Sequence, residues 1–216
     1  MIAFDGVTVA VGNRRVLDNV SGSVESGDLL VVLGPSGSGK TSLLGVLSGE
    51  TPSAGSRVCV RGKLGYAAQF DRLLPFLSVE ETLRFGVELR GDEDKVSVED
   101  LLCRLDLSRV RASTVGSTER RGISGGERKR LAVGAELVSS PQVLLCDEPT
   151  TGLDSVSALS MMELLSSGLA DVAVVATVHQ PSTRLYALFD KVMVLTKTGA
   201  VLYSGRADRA ASVVEN

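Results

Sequence analysis

Apolar residues fall into short runs, cut by Gly, Pro and charged positions. Leu29 to Leu33 is unbroken between Asp28 and Gly34, and similar runs occupy 143–146, 172–176 and 191–196. Runs of this length predict strands covered on both faces, as in a parallel sheet. Ile2, Phe4, Val7 and Val9 alternate roughly with less apolar positions, which predicts edge strands around an Asp5-Gly6 turn. Residues 16–24 read as a further strand. Helical stretches near 40–48, 155–169 and 183–189 lie between the runs, and buried strands alternating with helices indicate an α/β sheet with right-handed crossovers.

From about 73 to 137 the pattern changes, and no buried-strand run occurs. Val79, Leu83 and Val87 share one side of a helix, as do Val98, Leu101, Leu102 and Leu105, and then Leu131 and Ala135. This predicts a helical lobe inserted into the α/β core. Residues 92–95, Asp-Glu-Asp-Lys, read as a solvated loop.

Composition narrows the function classes. The chain has 216 residues, a net charge of −3, one histidine and no tryptophan. That length suits one domain. The acidic balance argues against nucleic acid as the main partner, which would leave a basic footprint. The single His179 excludes a His-rich metal site. Cys59, Cys103 and Cys146 lack ligand or redox spacing and are expected to be small buried hydrophobes in a reducing compartment. The first residues lack the basic start and apolar run of a secretory leader. No stretch approaches the ~20 apolar residues of a membrane helix. A mean hydropathy of +0.20 points to a buried sheet or an apolar surface meant for a partner.

Candidate chemistry begins right after the first buried run. Gly34, Pro35, Ser36, Gly37, Ser38, Gly39, Lys40 and Thr41 form G-x-x-x-x-G-K-[ST] between a strand and a helix, the setting a phosphate loop requires. Glycines let backbone N–H groups close on phosphate, and the helix start adds partial positive charge. Lys40 suits the β- and γ-phosphates, and the Thr41 hydroxyl suits Mg²⁺. A second strand ends in Asp147, a Walker B-like carboxylate for the metal. Glu148 follows as a general base or water-positioner. Pro149 disfavours the helical region for Glu148 and is expected to keep it extended, so that the two carboxylates point apart. Ser124, Gly125, Gly126 and Glu127 read as a capping box and also as an anion site at a helix start. They lie far in sequence from residues 34–41, so two chains set head to tail could bring the two segments together.

With these residues in place, the chain resembles the nucleotide-binding domains of ATP-binding cassette (ABC) transporters across nearly its whole length. Residues 34–41 match Walker A, 143–148 match Walker B with its catalytic Glu, and 124–127 match the family signature. Gln69 matches the Q-loop glutamine, 152–154 the D-loop, and His179 the switch histidine. The stretches 121–130, 147–155 and 178–182 further resemble the white/G subfamily of exporters. The resemblance implies a RecA-like P-loop NTPase core with an antiparallel β subdomain and an inserted helical subdomain, all within a single 1–216 domain.

It also implies ATP and Mg²⁺ as ligands. Glu148, His179 and Gln69 would act in catalysis, and Thr41, Gln69 and Asp147 would serve the metal. Residues 34–41, Ser42, Val11, Ser124, Gly125, Gly126 and Asp154 would contact nucleotide across a head-to-tail dimer. A homo- or heterodimer would couple to a transmembrane domain at the cytoplasmic face of a membrane, with no nucleic acid partner. Many relatives stack adenine on an aromatic residue where spacing puts Val11, so base selectivity is expected to be loose. The basic residues of 120–121 and 128–130 are expected to form the solvated edge of the signature helix. The chain starts almost on a strand and stops just after its last hairpin, which suits either a domain of a longer half-transporter or a single subunit. A second reading of the function is a soluble ABC ATPase acting on DNA or ribosomes, whose usual coiled-coil, zinc or second-cassette insertions do not fit in 216 residues. A third is a non-hydrolysing nucleotide-binding regulatory module, against which Glu148 and His179 argue.

Overall fold

The computed structural model describes residues 1–12, 14–53, 55–70, 73–90, 96–117 and 121–214, the last four without their side chains. The expected loop at 92–95 and Arg120 lie outside the described residues. Strands β1 (Ile2–Val11), β2 (Arg14–Val24) and β4 (Arg57–Val60) form an antiparallel sheet in the order β2-β1-β4. A six-stranded sheet contains β3 (Leu29–Leu33), β5 (Leu64–Ala67), β6 (Val143–Cys146), β7 (Ala173–Thr177), β8 (Lys191–Leu195) and β9 (Val201–Arg206). Its order is β5-β6-β7-β3-β8-β9, parallel throughout except for β9.

The unbroken apolar runs have a direct cause. Leu29 and Val31 of β3 join one core while Leu30 and Val32 join another, and Leu144 and Val143 of β6 divide the same way. The sheet is therefore covered on both faces, so both parities of each strand must be apolar. On one face lies the antiparallel sheet with α1 (Lys40–Leu47). On the other lie α2 (Val79–Arg90), α3 (Val98–Arg104), α4 (Gly125–Leu137) and α5 (Ser155–Ser166). The sequence between β5 and β6 holds α2, α3 and α4, with Val79, Leu83, Val87, Leu101, Leu102, Leu105 and Leu131 buried as periodicity expects. Arg111 clasps this region: its Nε donates to Glu80 Oε2 on α2 (2.9 Å), and its Nη1 pairs with Glu99 on α3.

Several expectations change. Asp5-Gly6 is no turn: β1 runs straight through it with a register shift between Phe4 and Val7, because Gly6 takes φ +65° and absorbs an irregularity against β2. The turn falls at Gly12. Helix α6 (Thr183–Tyr186) ends early, and α7 (Ala207–Val214) follows the last hairpin. Only Cys146 is buried, its thiol pushed upward mainly by desolvation; Cys59 and Cys103 are exposed, Cys59 on a strand of the outer antiparallel sheet.

The basic residues 128–130 are not a solvated edge. Arg128 Nη2 donates to the carbonyls of Val115 and Gly116, and Arg130 Nε to that of Leu105. Lys129 Nζ donates to Gln69 O. Three consecutive side chains thus satisfy carbonyls of three separate segments, which the buried backbone would otherwise leave unpaired.

Candidate active site

Strands β3, β6 and β7 are parallel neighbours, so their carboxyl ends open on one edge, where ligands of open α/β sheets bind. Residues 34–39 leave β3 and enter α1 through Gly39, whose φ is +93°. No side chain caps α1, which leaves its first N–H groups as orphan donors. Lys40 is buried, and its Nζ donates to the carbonyls of Gly34 (2.9 Å) and Pro35 (3.2 Å). A cavity of about 340 Å³ opens here, lined by Val16, Ser36, Gly37, Gly39, Lys40, Thr41, Ser42, Gln69 and Glu148.

The register of β6 and β7 sets Cys146 beside Ala176, so Asp147 and Thr177 follow side by side. Asp147 is 3% exposed and accepts a hydrogen bond from Thr177 Oγ1 at its Oδ1 (2.6 Å). Glu148 N–H donates to the same hydroxyl oxygen at 2.8 Å. Glu148 Oε2 accepts from Gln69 Nε2 and Thr151 Oγ1, both at 2.9 Å.

Glu148 is not extended. Its φ is +48°, in the left-handed region. Pro149 disfavours the right-handed helical region for the residue before it, and Glu148 takes the left-handed region rather than the extended one. Ser140 and Gln180, which also precede prolines, do the same at φ +49° and +47°. A non-glycine residue held there carries about 1–3 kcal/mol of strain. At Glu148 the N–H bond to Thr177 and the two donors on its carboxylate hold the conformation. The left-handed step still turns the carboxylates apart: Asp147 toward Thr177, Glu148 toward the cavity.

Residues 17–151 match the protein-family profile described as ABC transporter. The chain belongs to the ABC transporter family. An Arabidopsis thaliana relative, ABC transporter G family member 21, is 45% identical over 214 residues, covering 91% of this chain and 32% of its own length. Arabidopsis thaliana ABC transporter G family member 22 is 39% identical over 215 residues, covering 91% and 28%. The chain thus spans about a third of the length of these relatives. Among solved structures, an ABC transporter ATP-binding cassette in its ADP conformation superposes with a TM-score of 0.83 at 22% identity. That match covers 100% of this chain and 97% of the other. The α/β fold is that of ABC cassettes, with a RecA-like core, and the family is one of P-loop ATP hydrolases that bind ATP or ADP.

The signature-like segment of this ABC cassette sits elsewhere. Ser124 caps α4 by accepting from Glu127 N–H (3.3 Å), and the Glu127 carboxylate accepts from Ser124 N–H (2.7 Å), the capping box that the spacing predicts. Gly126 is buried, and a Cβ there would meet Ser157 Oγ at 3.0 Å, so α4 begins against the start of α5. Asp154 caps α5 by accepting from Val156 and Ser157 N–H and from Ser157 Oγ (2.7 Å). The Ser157 hydroxyl, more than the backbone amides, holds the Asp154 carboxyl below its ordinary range. Ser124, Gly125, Gly126 and Asp154 line none of the phosphate-loop cavity. His179 lies two residues beyond Thr177 on the same sheet edge, exposed to solvent.

Val11 is 68% exposed near the hairpin tip, opposite Arg14. Val16 lines the cavity instead. The register shift between Val9 and Ala10 leaves Val16 as the extra residue on β2, and such bulges re-aim side chains. Residue reasoning missed Val16, Thr177 and Lys129. A threonine closing the apolar run of β7 was a usable signal; nothing local marks the other two.

The donors suit Mg²⁺ delivered with a polyphosphate. Thr41 hydroxyl, Gln69 amide and Asp147 carboxylate are hard oxygen ligands, and Mg²⁺ is ordinarily held by one or two carboxylates plus substrate phosphates. Among the described residues no group of three His, Cys, Asp or Glu could hold a metal alone. Among the described residues, Ser38 Oγ is buried with no hydrogen-bond partner, a polar atom within the loop that a phosphate-bearing ligand would suit.

Proposed function

We propose that this chain is the ATP-hydrolysing unit of a membrane exporter of the G type. The observation that carries this reading is the convergence of Lys40, Thr41, Gln69 and Glu148 on one phosphate-loop cavity at the carboxyl edge of the sheet, with Asp147 buried next to Glu148 at the end of β6. Residues 34–42 take the phosphates of ATP. Thr41, Gln69 and Asp147 would hold Mg²⁺, which would supply charge neutralisation to the phosphates. Glu148 orients the attacking water and takes its proton, and His179 addresses the γ-phosphate. Val16 in the cavity wall, with the exposed Val11 of the same hairpin, offers apolar contact to the base.

The separation of Ser124, Gly125, Gly126 and Asp154 from the cavity supports a head-to-tail dimer in which each nucleotide meets the signature of the other chain. A transmembrane domain, on this chain or another, turns closure and reopening into export at the cytoplasmic face. Among the described residues no helix is long and apolar enough to cross a membrane.

ATP turnover of the 216-residue chain against Glu148→Gln tests the reading. The expected result is a loss of at least ~10²-fold in turnover, with gel filtration in Mg-ATP showing a persistent dimer. Equal turnover in both proteins would overturn the hydrolytic role, and a variant that stays monomeric would overturn the sandwich.

A further inference from the structure

Thr177 ends β7 and is completely buried. Its one hydroxyl touches both consecutive acidic residues of the neighbouring strand: it donates to Asp147 Oδ1 (2.6 Å) and accepts from Glu148 N–H (2.8 Å). The direction is fixed by chemistry, because a backbone N–H can only donate and the hydroxyl proton is left for the carboxylate. Asp147 therefore presents Oδ1 to Thr177 as an acceptor and keeps Oδ2 for another ligand. Glu148 N–H is secured where its backbone enters the left-handed region at φ +48°.

We propose that Thr177 is a positioning residue for hydrolysis, setting the Asp147 carboxylate toward the metal and the Glu148 backbone so that its side chain addresses the cavity. Thr177 does not line the phosphate-loop cavity; it acts through its two neighbours. Partners that orient metal ligands in this way typically change metal affinity or activity by about 10–100-fold when removed. The position also explains why a polar residue closes an otherwise apolar strand. A valine of the same shape would leave a buried carboxylate oxygen and a half-buried N–H without this partner.

This inference rests on the proposed ATPase reading, and the test separates the two. Thr177→Val, Thr177→Ser and wild type are compared by titration of ATP with and without Mg²⁺, by turnover across Mg²⁺ concentrations, and by thermal unfolding. For Thr177→Val the expected result is a rise of roughly tenfold or more in the Mg²⁺ needed for half-maximal ATP binding, and a kcat lowered about 10–100-fold with KM for ATP within about threefold. Thr177→Ser keeps the hydroxyl and stays within about threefold of wild type in both readouts. Wild-type Mg²⁺ dependence in Thr177→Val would overturn the proposal, as would a serine variant as impaired as the valine one, since the methyl would then be the part that matters. Wild type and Glu148→Gln turning over equally would instead count against the ATPase reading, while the Mg²⁺ titration of binding would still decide the role of Thr177.

Discussion

Two glycines of the phosphate loop share a left-handed backbone but should fail differently when given a methyl group. Gly37 has φ +76°, and a Cβ built there meets nothing within 4 Å. Gly39 has φ +93°, and its Cβ would lie 2.6 Å from Leu17 Cδ2 and 2.8 Å from the carbonyl oxygen of Val16. Forcing alanine left-handed costs about 1–2 kcal/mol at either site. Gly39→Ala must in addition displace the backbone of β2 or the fully buried Leu17, and overpacking of this kind adds about 1–3 kcal/mol. The loss for Gly39→Ala is then about 2–5 kcal/mol, with the larger values expected because one of the clashing atoms is backbone.

At about 2–4 °C per kcal/mol for a chain of this size, Gly37→Ala should lower Tm by about 2–8 °C and Gly39→Ala by about 4–20 °C. Measured without nucleotide, the Gly39 variant should be clearly the less stable. Titration of ATP should show the converse ranking relative to stability: Gly37→Ala, with its methyl on the open cavity side, should weaken ATP by more than its small stability loss suggests. Equal Tm changes, or a Gly39→Ala protein melting with wild type, would refute the steric account of this loop.

The Glu80 carboxyl is lowered from 4.5 to about 2, chiefly by its bond from Arg111 and then by that from Arg84. A depressed carboxylate stabilises the fold above its unfolded value, and that contribution is lost as pH falls from about 4.5 toward about 2; Glu80→Gln should flatten the acid limb of a stability-versus-pH curve in this window, and an unchanged limb would contradict the clasp. For the base site, apolar contact at Val16 and Val11 in place of a stacked aromatic ring predicts that GTP competes with ATP within about tenfold, since the aromatic contribution of about 0.5–1.5 kcal/mol is missing. Competition showing strict ATP preference would exclude it.

Much of this molecule was legible in one dimension. The doubly covered strands announce themselves because both faces of a buried sheet need apolar residues, and the phosphate loop because glycine and lysine must sit at fixed offsets along one short segment. The capping box of Ser124 and Glu127 is equally local, and so is the helical face of Val79, Leu83 and Val87. Tertiary structure alone decided the rest, because those relations join segments far apart in sequence. The parallel register of β6 and β7 brings the Thr177 hydroxyl to Asp147 and Glu148, and with it the left-handed turn at Glu148, where Pro149 alone favours an extended residue. A register shift in the first hairpin turned Val16, not Val11, into the cavity. Residues 128–130, which look like a solvated charge run, became ligands for distant carbonyls because α4 packs where three segments end with unpaired backbone oxygens. Side-chain type and spacing fix what a segment can do; only the packing of separate segments fixes which atoms meet.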